Sequence, residues 1–151
     1  MNCGAEGNLV KMQLEELIED LPNEELLIVK DYIAPSRRLV AEKILRNIQN
    51  ASQEELIQTA TIAKALGYEQ FDNYEEVAVY TRGYRILNKI PRMPGAIVTN
   101  LVKAFKSFQY ILLADVDKLD DVEGIGEVRA RTIKQSLRRM QEQFMFDNLS
   151  V

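Results

Sequence analysis

Histidine is absent from the 151-residue chain. That removes serine–histidine triads, cysteine–histidine pairs and every metal site with imidazole ligands. Cysteine occurs once, at Cys3, so no disulfide can form within the chain, which fits a reducing, cytosolic setting. No apolar run approaches the roughly 18–20 residues that a bilayer-spanning helix needs. Met1 to Gly7 lacks the basic and apolar regions of a signal peptide. Low-complexity segments and strand-like patterns are missing too. Any catalysis would have to run on Asp, Glu, Lys or Tyr, so these absences favour a binding module over an enzyme.

What is present supports a folded chain with two dissimilar halves. Apolar residues make up 46% of it, enough for a packed core. The net charge of −4 conceals an asymmetry: residues 1–81 hold 7 basic and 15 acidic groups, net −8, while residues 82–142 hold 12 basic and 7 acidic groups, net +5. Opposite signs suggest two units with different partners, the basic one suited to phosphates.

Helical spacing runs through the acidic half. Leu9, Val10, Leu14, Leu17, Ile18 and Leu21 predict a first helix, ended by Pro22. Asn23 is placed to cap a second, acidic at Glu24 and Glu25, with Leu26, Leu27, Val29 and Ile33 inward. Ala34-Pro35-Ser36 breaks it, and Ser36 is expected to cap a third helix that buries Leu39, Val40, Ile44, Leu45 and Ile48. Ser52-Gln53-Glu54-Glu55 reads as a capping box opening a helix through Leu56, Ile57, Ile62 and Leu66 that stops near Gly67. Residues 68–81 are the least periodic, although Asp72-Asn73-Tyr74-Glu75-Glu76 could form a turn of helix.

The basic half repeats itself. Ile90 to Val98 aligns with Val122 to Ala130 at an offset of 32, pairing Ile90 with Val122, Met93 with Ile125, Val98 with Ala130 and Leu101 with Ile133. Apolar positions coincide where polar ones differ, as in two copies of one unit sharing a core. Ser107 and Asp115, between the copies, fit helix N-caps. The second copy, Glu123-Gly124-Ile125-Gly126-Glu127, reads as a helix-hairpin-helix turn. Gly124 and Gly126 permit positive φ and let a phosphate approach the main chain. Ile125 would plug the turn into the core. The amides of Gly126, Glu127 and Val128 would sit at a helix N-terminus, where unpaired N–H groups and the dipole favour an anion.

The following helix would bury Ala130, Ile133, Leu137 and Met140 and carry Arg131, Lys134 and Arg138 on another face, beside Arg129. Such an arrangement grips nucleic-acid backbone without reading bases. The bland alternative is an ordinary helix–helix turn. In the first copy Arg92 and Pro94 replace the two glycines, and Pro94 has no N–H. That hairpin reads as mainly structural, with Gly95 restoring part of its turn, Arg92 as a phosphate contact and Lys103 and Lys106 adding charge to its second helix. The crowded carboxylates Asp115, Asp117, Asp120, Asp121 and Glu123 read as caps and dipole partners, since no Ca²⁺-loop spacing is present. Tyr80, Tyr84 and Tyr110 read as packing groups before base-stacking ones, and Phe144 and Phe146 as packing the tail back.

Arg82-Gly83-Tyr84-Arg85-Ile86-Leu87-Asn88-Lys89-Ile90-Pro91-Arg92-Met93-Pro94 and Leu119-Asp120-Asp121-Val122-Glu123-Gly124-Ile125-Gly126-Glu127-Val128-Arg129-Ala130 resemble signatures of the bacterial DNA integrity scanning protein family. The resemblance extends upstream through Ala65-Leu66-Gly67-Tyr68 to Glu6-Gly7-Asn8-Leu9-Val10-Lys11. It implies a helical linker followed by a tandem helix-hairpin-helix domain that binds branched DNA. In the full-length family it implies a preceding diadenylate cyclase domain, which makes cyclic di-AMP from ATP with a divalent metal, drives octameric assembly and is slowed by DNA binding. The family's Asp-Gly-Ala and Arg-His-Arg catalytic motifs are missing here, so the resemblance points to a piece or a shortened relative. The family often has proline where Thr81 and Ala96 stand.

The expected fold is therefore all-α: a helical linker bundle over residues 1–80, then a tandem helix-hairpin-helix domain over 81–151. No catalytic residue, metal site or cofactor is expected in the chain itself. The expected partners are DNA, branched in preference, and the family's cyclase domain, in the cytoplasm at the nucleoid and away from membrane. The competing reading is a helical protein-interaction module that does not bind DNA, with the −8 half as its working surface.

Overall fold

Helices are the regular elements among the described residues of the computed structural model, which are 5–34, 40–68, 73 and 78–149. The expectations placed on Cys3, Ser36, Leu39, Asp72 and Tyr74 to Glu76, and on the side chains of Leu9 and Leu17, lie outside the described residues. The chain divides into two compact units, Met1–Val77 and Ala78–Val151. No described helix is long and apolar enough to cross a membrane.

In the first unit, α1 (Ala5–Glu19) ends two residues, and α2 (Leu21–Tyr32) begins three residues, earlier than the sequence suggests. Pro22 does not end α1. It stands in the first turn of α2, where its missing N–H would have had no partner anyway. Asp20, not Asn23, holds the N-cap position, and its carbonyl accepts from the N–H groups of Asn23 and Glu24. On α1, Val10, Leu14 and Ile18 face outward, each about half exposed, as is Leu21 at the start of α2. Among the described residues of this unit, Val29 of α2 clusters with Ala41 and Ile44 of α3 (Ala41–Gln49), flanked by Leu26, Ile33, Leu45, Ile48 and Leu66. Val40 precedes α3 with extended backbone and is exposed, so it is not one of the inward residues.

The Ser52 capping box forms as expected. Ser52 Oγ accepts from the Glu55 N–H at 3.3 Å, and Glu55 Oε2 accepts from the Ser52 N–H at 2.8 Å. Its helix is shorter than the spacing predicts. α4 (Gln53–Leu56) stops after one turn, Gln58 turns extended, and α5 (Thr59–Ala65) starts afresh. Ile57 falls in this break and is 82% exposed. Gly67, at φ 97°, ends the segment as expected. The Ala34 N–H then donates to the Leu66 carbonyl, and Tyr68 Oη to the Tyr32 carbonyl, closing the unit.

In the second unit the repeat becomes geometry. Hairpin one joins α6 (Tyr84–Leu87) to α7 (Gly95–Phe105); hairpin two joins α9 (Val116–Asp120) to α10 (Glu127–Leu149). Both pairs of helices start 32 residues apart, at Tyr84 and Val116 and at Gly95 and Glu127. Even the turn bonds correspond. Leu87 N–H donates to Gly83 O as Leu119 N–H does to Asp115 O, and Val98 N–H to Pro94 O as Ala130 N–H does to Gly126 O. Leu87, Leu101, Leu119 and Ile133 are wholly buried, two from each copy, around Ile111 of the connecting helix α8 (Phe108–Leu113). Ser107 precedes α8 without making a side-chain cap, whereas Asp115 Oδ1 accepts from the Lys118 N–H at 2.9 Å.

Candidate nucleic-acid interface

Hairpin two turns tightly because Gly124 takes φ 81° and Ile125, buried, donates its N–H to the Val122 carbonyl at 2.9 Å. The two glycines are not equivalent. Only Gly124 adopts positive φ, and a Cβ there would lie 2.7 Å from Ile97 Cδ1. Gly126 does not need the left-handed region, and a Cβ there would meet nothing within 4 Å. Gly126 thus leaves open space before α10, whose first turn has no preceding carbonyls to receive its N–H groups. The dipole of this 23-residue helix adds positive potential at the same place.

The turn is braced from two sides. Arg129 Nη1 donates to the Gly124 carbonyl at 2.6 Å, and Asn100 Nδ2, from α7, donates to the Glu123 carbonyl at 2.9 Å. Neither brace shows in spacing, since one folds back five residues and the other crosses between the copies. Val128, 81% exposed, presents an apolar side chain on the first turn of α10.

The expected cationic face of α10 is divided among partners. Arg131 pairs with Glu127, and Arg138 Nε lies 3.3 Å from Glu142 Oε1. Lys134 is half-buried, and its ammonium donates to the carbonyls of Leu112 at 2.7 Å and Ala114 at 2.6 Å, closing the C-terminus of α8. It stands in the register of buried Val102 of the first copy, so a core-facing place is its inheritance from the repeat.

In hairpin one the left-handed residue is Arg92, φ 57°, at the place of Gly124. Gly95 does not supply the turn; it is the first residue of α7. Lys103 lies exposed near the far end of α7, and Lys106 follows it as the C-cap at φ 61°, outside the helix. Both are therefore remote from the α7 N-terminus. Lys103 instead borders a groove with Asn100, Lys118 and Glu123. Arg92 and the start of α10 do come together: a groove of about 520 Å³ is lined by Pro91, Arg92, Met93, Val128, Arg129 and Thr132, among others.

Other expectations need correction. Tyr80 and Tyr110 are exposed, whereas Tyr84 packs on the core. Phe144 and Phe146 do not fold back: α10 continues through them, leaving both about 70% exposed. Among the described residues no group of three or more Cys, Asp or Glu could hold a metal ion.

A family model described as the DisA bacterial checkpoint controller linker region matches residues 1–75, and one described as a SAM-like helix-hairpin-helix tandem matches residues 84–139. The chain is 47% identical over 140 residues to the DNA integrity scanning protein DisA of Carboxydothermus hydrogenoformans, covering 93% of this chain and 40% of that protein. It is 47% identical over 150 residues to the protein of the same name from Bacillus pumilus, covering 95% and 40%. With that of Bacillus subtilis it shares 44% over 150 residues, covering 95% and 39%. The chain spans about 40% of the length of these curated relatives.

Proposed function

Since the chain belongs to the DNA integrity scanning protein family, of which it spans the linker region and the helix-hairpin-helix tandem, we propose that it is a non-catalytic part that grips DNA backbone, branched DNA in preference to linear duplex. In longer members, DNA held here regulates the synthesis of cyclic di-AMP from ATP by a cyclase domain, to which ATP and its divalent metal belong. The place of action is the cytoplasm, at the nucleoid.

One observation carries this reading: the open space at Gly126, where α10 begins beside the groove that holds Arg92 and Arg129. Backbone N–H groups and arginines there meet phosphate oxygens, whatever the base sequence. Branched DNA suits such a grip because it offers phosphates of more than one strand at a crossing. The test is titration of a four-way junction and a matched linear duplex over a salt series. The junction is expected to bind more tightly, with affinity falling as salt rises through counterion release. Absence of binding to either DNA at low salt would sink the reading.

A second reading, a protein-interaction module, is favoured by the exposed Val10, Leu14 and Ile18 of α1 and Leu21 of α2. If a protein partner were retained fully by a chain carrying Gly126→Pro, Arg131→Ala and Lys134→Ala, and DNA made no difference to it, that reading would prevail.

A further inference from the structure

We propose that the groove between the two hairpins is a single phosphodiester seat, in which Arg92 of hairpin one and Arg129 of hairpin two hold the same DNA phosphate. This rests on the DNA-binding reading above and sharpens it, because it makes the two hairpins one site and not two independent grips.

Arg92 lines the groove and is exposed. It has no hydrogen-bond or ion-pair partner among the described residues, and its backbone stands in the left-handed region, at φ 57°. Its repeat mate is Gly124, a residue type that takes that conformation without strain. Hairpin one thus carries a guanidinium where a glycine would make the same turn more cheaply. Arg129 lines the groove from the other side. One of its N–H groups is committed to the Gly124 carbonyl, and a guanidinium has four more. Among the described residues neither arginine is paired with a carboxylate, in contrast to Arg131 and Arg138, which pair with Glu127 and Glu142. Glu127 also lines the groove, but its charge is met by Arg131.

The remaining walls fit the rest of a nucleotide backbone. Pro91, Met93 and Val128 are apolar, suited to the C–H faces of deoxyribose, and Thr132 completes the wall with its hydroxyl donated to the Val128 carbonyl at 2.9 Å. A volume of about 520 Å³ admits a sugar–phosphate unit. A phosphodiester has two anionic oxygens, and guanidinium forks approaching from opposite walls can take one each.

The test uses the full chain with Arg92→Gly, Arg129→Gln and the double variant, titrated with a fluorescent four-way junction over a KCl series. Thermal melts establish that each is folded, and Arg129→Lys serves as a second variant that keeps the charge without the fork. Each single variant is expected to bind about tenfold more weakly, with a log–log salt slope flatter by about 0.9, the value of one phosphate contact. The double variant is expected to lose little more than either single, with no further flattening, and Arg129→Lys to restore the slope but only part of the affinity. Losses that multiply in the double variant, with a slope flatter by about 1.8, would assign the arginines to separate phosphates and overturn the shared seat while leaving DNA binding intact. Unchanged affinity in both single variants would overturn it too. If the unaltered chain bound no DNA at low salt, the wider reading would fall and the seat with it.

Discussion

At Gly124 an added methyl group would press on Ile97 from a backbone already at φ 81°, whereas at Gly126 it would meet open space. Gly124→Ala is therefore expected to destabilise the second unit by about 1–3 kcal/mol, combining the left-handed penalty with the contact. Gly126→Ala is expected to change stability by less than about 1 kcal/mol. Paired thermal melts check both. Arg92→Gly has the opposite sign, because it relieves a left-handed non-glycine: a gain of about 0.5–1 kcal/mol remains after the larger entropy of an unfolded glycine. In the first unit, Ser52→Ala is expected to cost about 1 kcal/mol through the lost cap, read by chemical denaturation. The backbone N–H of Ser52, and then its hydroxyl, hold the Glu55 carboxyl below its ordinary 4.5. A depressed folded pKa stabilises above the unfolded value and ceases to do so as pH falls through the folded one. Glu55→Gln should accordingly weaken the first unit near neutral pH and make no difference in strong acid.

Among the elements, the repeat was the most legible feature, since Leu101 and Ile133 had to be apolar in both copies to share a core. The capping box was legible because Ser52 and Glu55 satisfy each other within four residues. The break at Gln58 was not: Leu56, Ile57 and Ile62 keep a helical spacing, and nothing local reveals that Ile57 will point to solvent. Pro22 misled because proline is tolerated in a first turn as readily as it stops a helix. Lys134 read as one of three surface cations, yet its i+3 and i+4 neighbours say nothing about the α8 carbonyls it closes. The turn of hairpin two was legible from Gly124-Ile125-Gly126, but its braces from Arg129 and Asn100, and the meeting of Arg92 with α10, needed three dimensions. Lys134→Met is expected to cost about 1.5–3 kcal/mol by leaving two carbonyls without their charged donor, measured as a lowered unfolding midpoint in the second unit.

For the molecule as a whole, charge separation and the lack of histidine set the conditions of binding. No side chain has an ordinary pKa between pH 5 and 8. Junction affinity at fixed ionic strength is thus expected to change less than about twofold between pH 6 and 8, whereas the same titration should respond steeply to salt. A strong pH dependence in that range would contradict the assignment of the grip to arginines and amides. The length of α10 bears on what happens after DNA is held. Among the described side chains its last buried one is Leu137, but the helix runs on to Leu149. At 1.5 Å per residue its 23 residues reach about 34 Å from the groove. A tilt of roughly 5° at the groove end would shift the far end by about 3 Å, so α10 would turn a small rotation at the hairpins into a displacement of atomic size.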